Sequence, residues 1–383
     1  MKHLLYISQK PHHPIIDGGS QAIASFFHGL LLCRDITLTY APICTKKHPG
    51  DFSSLDHSIQ LIPLRIDTSI TMKVLSNALN TPINVLRYST SNAIKILISQ
   101  DNLQHFDIVI CDGFYSLAIL PSSWFESKRI IYRSHNLEYE NWHHRAGFMP
   151  WYTRWIYNRI SRQMKNLEHS LVNAAHTVLS ISHEETLTLR KWNMNTHTSY
   201  PILHSSEPLN TEIDQDLRVG FVGNFDWYPN VDAMNEFINK IWPLIILKHP
   251  SAQLEIAGRK SEAFNRPHNN IKGLGFVNSL ENFYHRQRIM ISPLSYGTGL
   301  NMKVLEALYY GKVIVTSALS VRGFEHKTPF LIAETPRQFA DCVIGLLDNS
   351  DKRKALESKI PAYIKSYFDE KVFKSQLETC IHG

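Results

Sequence analysis

Gly297, Gly299, Asn301, Lys303 and Glu306 lie within ten residues of one another, in the stretch PLSYGTGLNMKVLEALYYGKVIVTS at 293–317. Two glycines two apart permit a sharp turn and a close approach of backbone to a ligand. Asn301 is a good helix N-cap, and Gly311 sits where a helix-ending glycine belongs. A helix that starts behind a glycine loop offers unpaired N–H groups and a positive dipole end to an anion. Glu306, five residues into that helix, stands about 7 Å further along the axis. That is roughly the span from a diphosphate to the ribose hydroxyls of one nucleotide. The pattern suits a nucleoside diphosphate, with its phosphates on the loop amides and the Glu306 carboxylate on the sugar. The competing reading is an ordinary surface ion pair, because Lys303 and Glu306 are three apart.

The loop needs a strand before it and another after its helix. The runs 288–294 (RIMISPL) and 312–316 (KVIVT) have strand length and apolar content. The same alternation runs through the whole chain. Strands are expected at 4–8, 36–41, 59–64, 107–111, 129–133 and 177–181, with helices at 20–33, 85–100 and 151–174. A second series has strands at 217–222, 253–257, 270–272, 288–292 and 313–316, with helices at 230–248, 279–286, 301–310 and 336–348. This predicts an α/β protein of two doubly wound parallel sheets. The polar stretch 193–216, with Pro201 and Pro208, reads as the linker. The domains are then 1–200 and 210–364.

The 383 residues are 43% hydrophobic and 19% charged, which describes a globular chain of two domains. No run approaches the ~18–20 apolar residues that span a bilayer. The start, MKHLLYISQK, reads as a buried strand and not as a signal peptide. Cys33, Cys44, Cys111, Cys342 and Cys380 are odd in number and lack metal-ligand spacing, which suits a reducing cytoplasm. A net charge of +6 fits anionic substrates or an anionic membrane surface. There is no arginine-rich stripe, RNA-binding signature or zinc spacing, so nucleic acid is not an expected partner.

The 293–317 segment resembles the nucleotide-binding segment of glycosyltransferase family 4. Four further stretches resemble that family in the same order: 17–20 (DGGS), 132–142 (YRSHNLEYENW), 175–182 (AHTVLSIS) and 219–232 (VGFVGNFDWYPNVD). The resemblance implies a GT-B fold of two Rossmann-like domains facing each other across a cleft. It also implies that a helix at about 365–383 packs back on the first domain. The implied activity is transfer of a sugar from a nucleotide-diphosphate donor to a hydroxyl acceptor with retention of configuration. The diphosphate itself assists deprotonation of the acceptor, and no metal or other cofactor is needed.

The resemblance also assigns residues. On the donor side are Gly223 and the loop Gly297, Thr298, Gly299, Leu300 and Asn301, with Glu306 on the ribose. Members commonly carry a second glutamate eight positions before the ribose glutamate. Thr298 stands there in this chain and supplies a hydroxyl but no charge. Members also set an Arg and a Lys against the diphosphate. The usual arginine is absent after Gly223, and Arg259 and Lys303 are the candidate replacements. Asp226 and Trp227 are expected to shape the loop. On the acceptor side, Gly18 and Gly19 open a helix behind a strand. His135 matches a histidine that contacts the donor sugar near the reacting centre. Asp112 and Glu138 either bind acceptor hydroxyls or cap helices.

Residues 151–165 (WYTRWIYNRISRQMK) mix aromatics at three-to-four spacing with Arg154, Arg159, Arg162 and Lys165. That composition suits a membrane interface. The favoured expectation is a helix that packs its aromatics into the first domain. A glycan or lipid-linked acceptor would make peripheral contact with the inner membrane face sensible. The alternatives to a transferase are a nucleotide-sugar epimerase of the same fold, and a non-catalytic nucleotide-sugar-binding member.

Overall fold

The computed structural model describes residues 2–33, 35–66, 85–86, 92–203, 216–325 and 329–382. The chain divides into two units. One comprises Met1–Ile202 with Glu370–Gly383, and the other is Leu203–Asp369.

The first unit is built on strands β1 (Lys2–Ser8), β2 (Ile36–Cys44), β3 (Gln60–Leu61), β4 (Leu64–Arg65), β5 (Ile108–Asp112), β6 (Arg129–Ser134), β7 (Thr177–Ser180) and β8 (Thr196–Thr198). They run in the order β3-β2-β1-β5-β6-β7-β8, with β4 also on β2. The pairings are parallel. Alternate residues of a strand point to opposite faces, and here both faces are core. Leu5, Ile7, Val109, Cys111 and Ile130 pack on one side. Leu4, Tyr6, Ile108, Ile110 and Ile131 pack on the other. That second side is covered by the helices Gly18–Leu31 and Glu370–His382. The Phe373 ring meets Phe26 edge-on at 5.5 Å. It lies so close that a Cβ on Gly29 would come within 2.1 Å of it.

The second unit holds β9 (Arg218–Val222), β10 (Gln253–Ala257), β11 (Ile271–Gly275), β12 (Ile289–Ser292), β13 (Ile314–Thr316) and β14 (Leu331–Ile332). Their order is β11-β10-β9-β12-β13-β14, again parallel. Val219, Phe221, Leu254, Ile256, Ile289, Ile291 and Val315 form its core face. The expected α/β class with two doubly wound parallel sheets is what the chain adopts.

Local expectations needed correction in several places. The run 59–64 is two short strands, β3 and β4, rather than one. The stretch read as a linker begins as structure: Thr196 is fully buried in β8, which pairs with β7. Asn195 Nδ2 donates to His176 O at 2.7 Å and fastens this strand. Its polar Thr-His-Thr sequence carries no alternating apolar signal. The rest of the expected linker, at 204–215, and residues 87–91 of the expected helix at 85–100 lie outside the described residues. The helix expected at 230–248 is interrupted by a π turn at Phe237–Ile241, just before Pro243. Proline has no N–H to continue the ladder, and the turn widens to accommodate it.

The helix Trp151–Ala174 has the expected bounds, but of its aromatics Tyr157 packs inward, 6.0 Å from the Trp142 ring, while Trp151, Tyr152 and Trp155 do not. Ser161, Met164, Glu168 and Val172 form the buried edge. Trp151 and Trp155, on the opposite side, are 84% and 61% exposed. Among the described residues, no helix is long and apolar enough to cross a membrane.

Candidate functional site

In each sheet the strand order reverses once, between β1 and β5 and between β9 and β12. Ligands of open α/β sheets bind beyond the C-terminal strand ends at such a point. The residues singled out from the sequence gather at these two strand edges, one in each unit.

In the second unit, β12 ends at Ser292 and the chain enters the glycine loop. Gly297 and Gly299 have φ of +148° and +77°. Side chains avoid that backbone region, so glycine is required for the turn. Thr298 is half-buried and Leu300 is buried. The loop is stapled from below. Arg322 Nη2 donates to Gly297 O at 2.8 Å, and Ser317 Oγ donates to Leu294 O at 2.5 Å. Asn301 holds the N-cap position of the helix Met302–Tyr309, but its side chain makes no capping bond. Its Nδ2 donates instead to Ser292 Oγ at 2.9 Å. The expected cap is therefore a tether to the preceding strand, and the Asn301 side chain takes up no first-turn N–H.

Glu306 and Lys303 are not a surface pair. The helix buries Val304, Leu305 and Leu308, and Glu306 is buried with them at 6% exposure. Tyr284 donates its hydroxyl to Glu306 Oε2 at 2.8 Å and stacks on Tyr310, with ring centroids 4.8 Å apart. Lys303 lies over the Phe221 ring, with Nζ 4.7 Å from the centroid. It donates to Asn230 Oδ1 at 2.7 Å. Burial brings the Lys303 ammonium down to about 7, with the Glu306 charge pulling the other way. Asn230 belongs to the DWYPN run, and its Nδ2 donates to Asn224 O at 2.8 Å. One amide thus joins the loop after β9 to the lysine of the glycine-loop helix.

Gly223 lies against that amide, and a Cβ there would sit 2.9 Å from Asn230 Nδ2. Arg259 follows β10 at the same edge. It is half exposed, with Nη1 3.5 Å from Asp226 Oδ2. Lys260 Nζ holds the other Asp226 oxygen at 2.6 Å. Asp226 shapes this loop by gathering both cations.

In the first unit, Asp112 ends β5 and is fully buried. Arg133 Nη1 donates to its Oδ1 at 2.9 Å, and Tyr6 donates to its Oδ2. Burial alone would raise this carboxyl. Arg133, then His135, overcome that and hold it at about 2. Asp112 therefore neither caps a helix nor reaches outward. It holds His135, which follows β6 and is 5% exposed. His135 Nε2 lies 2.5 Å from Asp112 Oδ1 and 3.0 Å from Arg133 Nη1. Beside an ionised carboxylate Nε2 must carry the proton, so it donates to Asp112 and cannot accept from Arg133. Burial, helped by the nearby Arg133 and Lys10 charges, lowers the imidazole pKa despite Asp112. His135 is then a neutral ring whose acceptor is Nδ1.

Glu138 opens the helix Glu138–Gly147. Its Oε1 accepts from Asn136 Nδ2 at 3.1 Å, and burial raises it to about 6. The cap of this helix comes from far along the chain. Buried Glu168 accepts from the N–H groups of Glu138 and Tyr139 at 3.0 and 3.1 Å. Gly18 and Gly19 open the helix Gly18–Leu31, where Asp17 and Ser20 form a capping box. Lys10 pairs with Asp17 at 2.8 Å. Among the described residues, no group of three or more His, Cys, Asp or Glu side chains is placed to hold a metal.

Several positioning residues were not foreseen. Tyr284, Asn230, Arg322 and Ser317 each act on the loop or its helix. Of these, Asn230 and Ser317 lay in quoted motifs, Ser317 as the last residue of the 293–317 stretch, but neither was given a role.

Residues 216–349 match the family model of the Glycosyl transferases group 1. A Klebsiella pneumoniae relative, described as an uncharacterized 44.6 kDa protein in cps region, is 24% identical over 289 residues. The match spans 70% of this chain and 73% of the relative. HepE of Anabaena, solved with UDP and glucose, superposes with a TM-score of 0.68 at 12% identity, covering 100% of this chain and 99% of that one. TarM of S. aureus gives a TM-score of 0.70 at 11% identity, covering 100% and 99%. WaaG, a glycosyltransferase involved in lipopolysaccharide biosynthesis, gives 0.66 at 12% identity, covering 99% and 100%. The fold is GT-B. With the matched segment, it supports a glycosyltransferase.

Proposed function

We propose that the protein transfers a sugar from a nucleotide-diphosphate donor to a hydroxyl of a glycan or lipid-linked acceptor, with retention of configuration, as in glycosyltransferase family 4. The observation that carries this reading is the pairing of the glycine loop with a buried Glu306 aimed by Tyr284 at a sheet switch point. A carboxylate has about four lone-pair sites, so Glu306 can accept from Tyr284 and from a ribose hydroxyl together.

In this reading the diphosphate rests on the amides of 297–301. Lys303 faces it, and Arg259 adds a second cation. These charges stabilise the diphosphate as it leaves. The bond between the anomeric carbon and the diphosphate oxygen breaks. The acceptor oxygen bonds to the same face of that carbon, and its proton passes to the departing phosphate oxygen. The cations take the part that a divalent ion plays elsewhere, so no metal or other cofactor is included. Thr298 offers a hydroxyl to the sugar. His135 offers Nδ1 as a neutral acceptor, and Glu138, Gly18 and Gly19 serve the acceptor side. The relative from a cps region and the likeness to WaaG support a role in polysaccharide or glycolipid synthesis. Five free thiols suit the cytoplasm.

The test is incubation of the purified protein with a panel of UDP-, GDP-, ADP- and TDP-sugars, following nucleotide release and the anomeric proton coupling of the product. Slow release from one donor, with a retained anomer in the product, supports the reading. Interconversion of the sugar without release indicates an epimerase. Binding without either indicates a non-catalytic member.

A further inference from the structure

The helix Trp151–Ala174 carries an exposed surface that donor binding does not use. Its inward edge is Ser161, Met164, Glu168 and Val172. At 100° per residue, Trp151, Tyr152, Trp155 and Ile156 fall on the opposite side, and Arg159 and Arg162 continue that side along the next turns. Tyr152 and Ile156 are 60% and 40% exposed, beside the two tryptophans. The chain as a whole has 34 acidic residues against 40 lysines and arginines. Yet no Asp or Glu occurs anywhere in 141–167, while Arg145, Arg154, Arg159, Arg162 and Lys165 do.

We propose that this face of the first unit docks on an anionic lipid bilayer. The helix lies in the interface with its first turns inserted. Tryptophan and tyrosine settle at the boundary between headgroups and acyl chains, where an apolar ring and a polar N–H or O–H are both satisfied. Arginines behind them lay their stems along the boundary and keep the guanidinium among anionic headgroups. The absence of acids over the whole stretch removes the repulsion that such a surface would otherwise meet. A soluble polyanion would satisfy the arginines but leave Trp151, Trp155 and Ile156 in water, whereas a bilayer accommodates both kinds of side chain.

The experiment is co-sedimentation with vesicles of phosphatidylcholine alone or mixed with phosphatidylglycerol, at low and high salt. The parent protein should partition about tenfold more strongly into the mixed vesicles, less so at high salt. The double variant Trp151→Ser, Trp155→Ser should lose about tenfold on mixed vesicles. The double variant Arg159→Glu, Arg162→Glu should lose the preference for the anionic lipid. These side chains are exposed, so both variants should melt like the parent. The two substitutions probe the surface independently if either fails to fold. Three results would overturn the proposal. One is a parent that binds neither vesicle. Another is an aromatic variant that binds like the parent while the charge variant loses heparin and vesicles alike. The last is a parent dimer that the aromatic variant abolishes. Nucleotide release measured without vesicles should be unaltered in both variants, which separates failure of docking from failure of the sugar-transfer reading.

Discussion

Tyr284 donates its hydroxyl to Glu306 Oε2 at 2.8 Å across 22 residues of sequence, so the carboxylate assigned to the ribose is aimed from a neighbouring helix. Glu306→Ala should weaken donor binding by ~1.5–3 kcal/mol, the worth of hydrogen bonds to a charged group. It should also cost ~1–3 kcal/mol of stability, because it strands the buried Tyr284 hydroxyl. Tyr284→Phe keeps the ring and should weaken donor binding about tenfold while leaving turnover nearly unchanged. Calorimetric titration with the preferred donor checks both. Unaltered affinity in both variants would remove Glu306 from the site.

Lys303 should give donor binding a pH dependence. Its folded pKa is about 7, against 10.5 for the ordinary amine. The folded state therefore binds fewer protons than the unfolded state between those values. Stability from this group rises as pH climbs through that window, because the cost of burying the charge is relieved. Donor affinity should move the other way, falling as pH rises through about 7 and the cation is lost. Lys303→Arg should flatten the profile between pH 6 and 9, since guanidinium stays charged throughout. A parent profile as flat as that of the variant would count against a diphosphate contact.

His135→Ala should lower turnover while leaving nucleotide affinity nearly unchanged, because the nucleotide is assigned to the other unit. Asp112→Asn tests the tautomer. An amide can donate to Nε2, which moves the ring proton to Nδ1 and removes the acceptor. Turnover should fall as in His135→Ala. Stability should also drop by ~3–5 kcal/mol as buried Arg133 loses its counter-charge. If both variants turn over normally, the Asp112–His135 pair is only structural.

Gly299→Val should abolish donor binding with the fold retained. The position has φ +77°, and a β-branched residue there is strained and intrudes where backbone meets phosphate. Far-UV circular dichroism and donor titration separate the two effects. Donor binding within a factor of about two of the parent would exclude the loop from the phosphate site.

The glycine loop, the helix behind it and the positions of most strands along the chain were legible because each leaves a local trace. The traces are two glycines with a third after the helix, and apolar runs of strand length. Tyr284, Arg322 and Ser317 leave none. In the sequence each looks like any polar side chain, and what matters is the distant atom it reaches. Glu306 is the inverse case. A charge three residues from a lysine reads as exposed, and only the fold brings Tyr284 over it. The exposed Trp151 and Trp155 were misread because aromatics at helical spacing usually mark a core face. The buried edge is instead set by Ser161, Met164, Glu168 and Val172.

The contact between Gly29 and Phe373 makes a stability prediction. Gly29→Ala should cost ~1–3 kcal/mol, because its Cβ would strike the ring. Phe373→Ala should cost ~3–5 kcal/mol. The double variant should cost less than the sum, since the clash disappears with the ring. Urea unfolding of the three variants measures this, and strict additivity would mean that the two residues do not meet.

That contact also dictates an order of events during synthesis. The ribosome delivers the helix Gly18–Leu31 early, but its partner Glu370–His382 follows only after the whole of the second unit. The partner emerges about 340 residues later, so at roughly 5–20 residues per second the wait is about 20–70 s. Through that interval Phe26 and Leu30 lack the cover of Phe373 and Leu377, which share their cluster in the finished molecule. The nascent first unit thus leaves part of one core face open until the last helix arrives, and the second unit can complete its own core before the first is sealed.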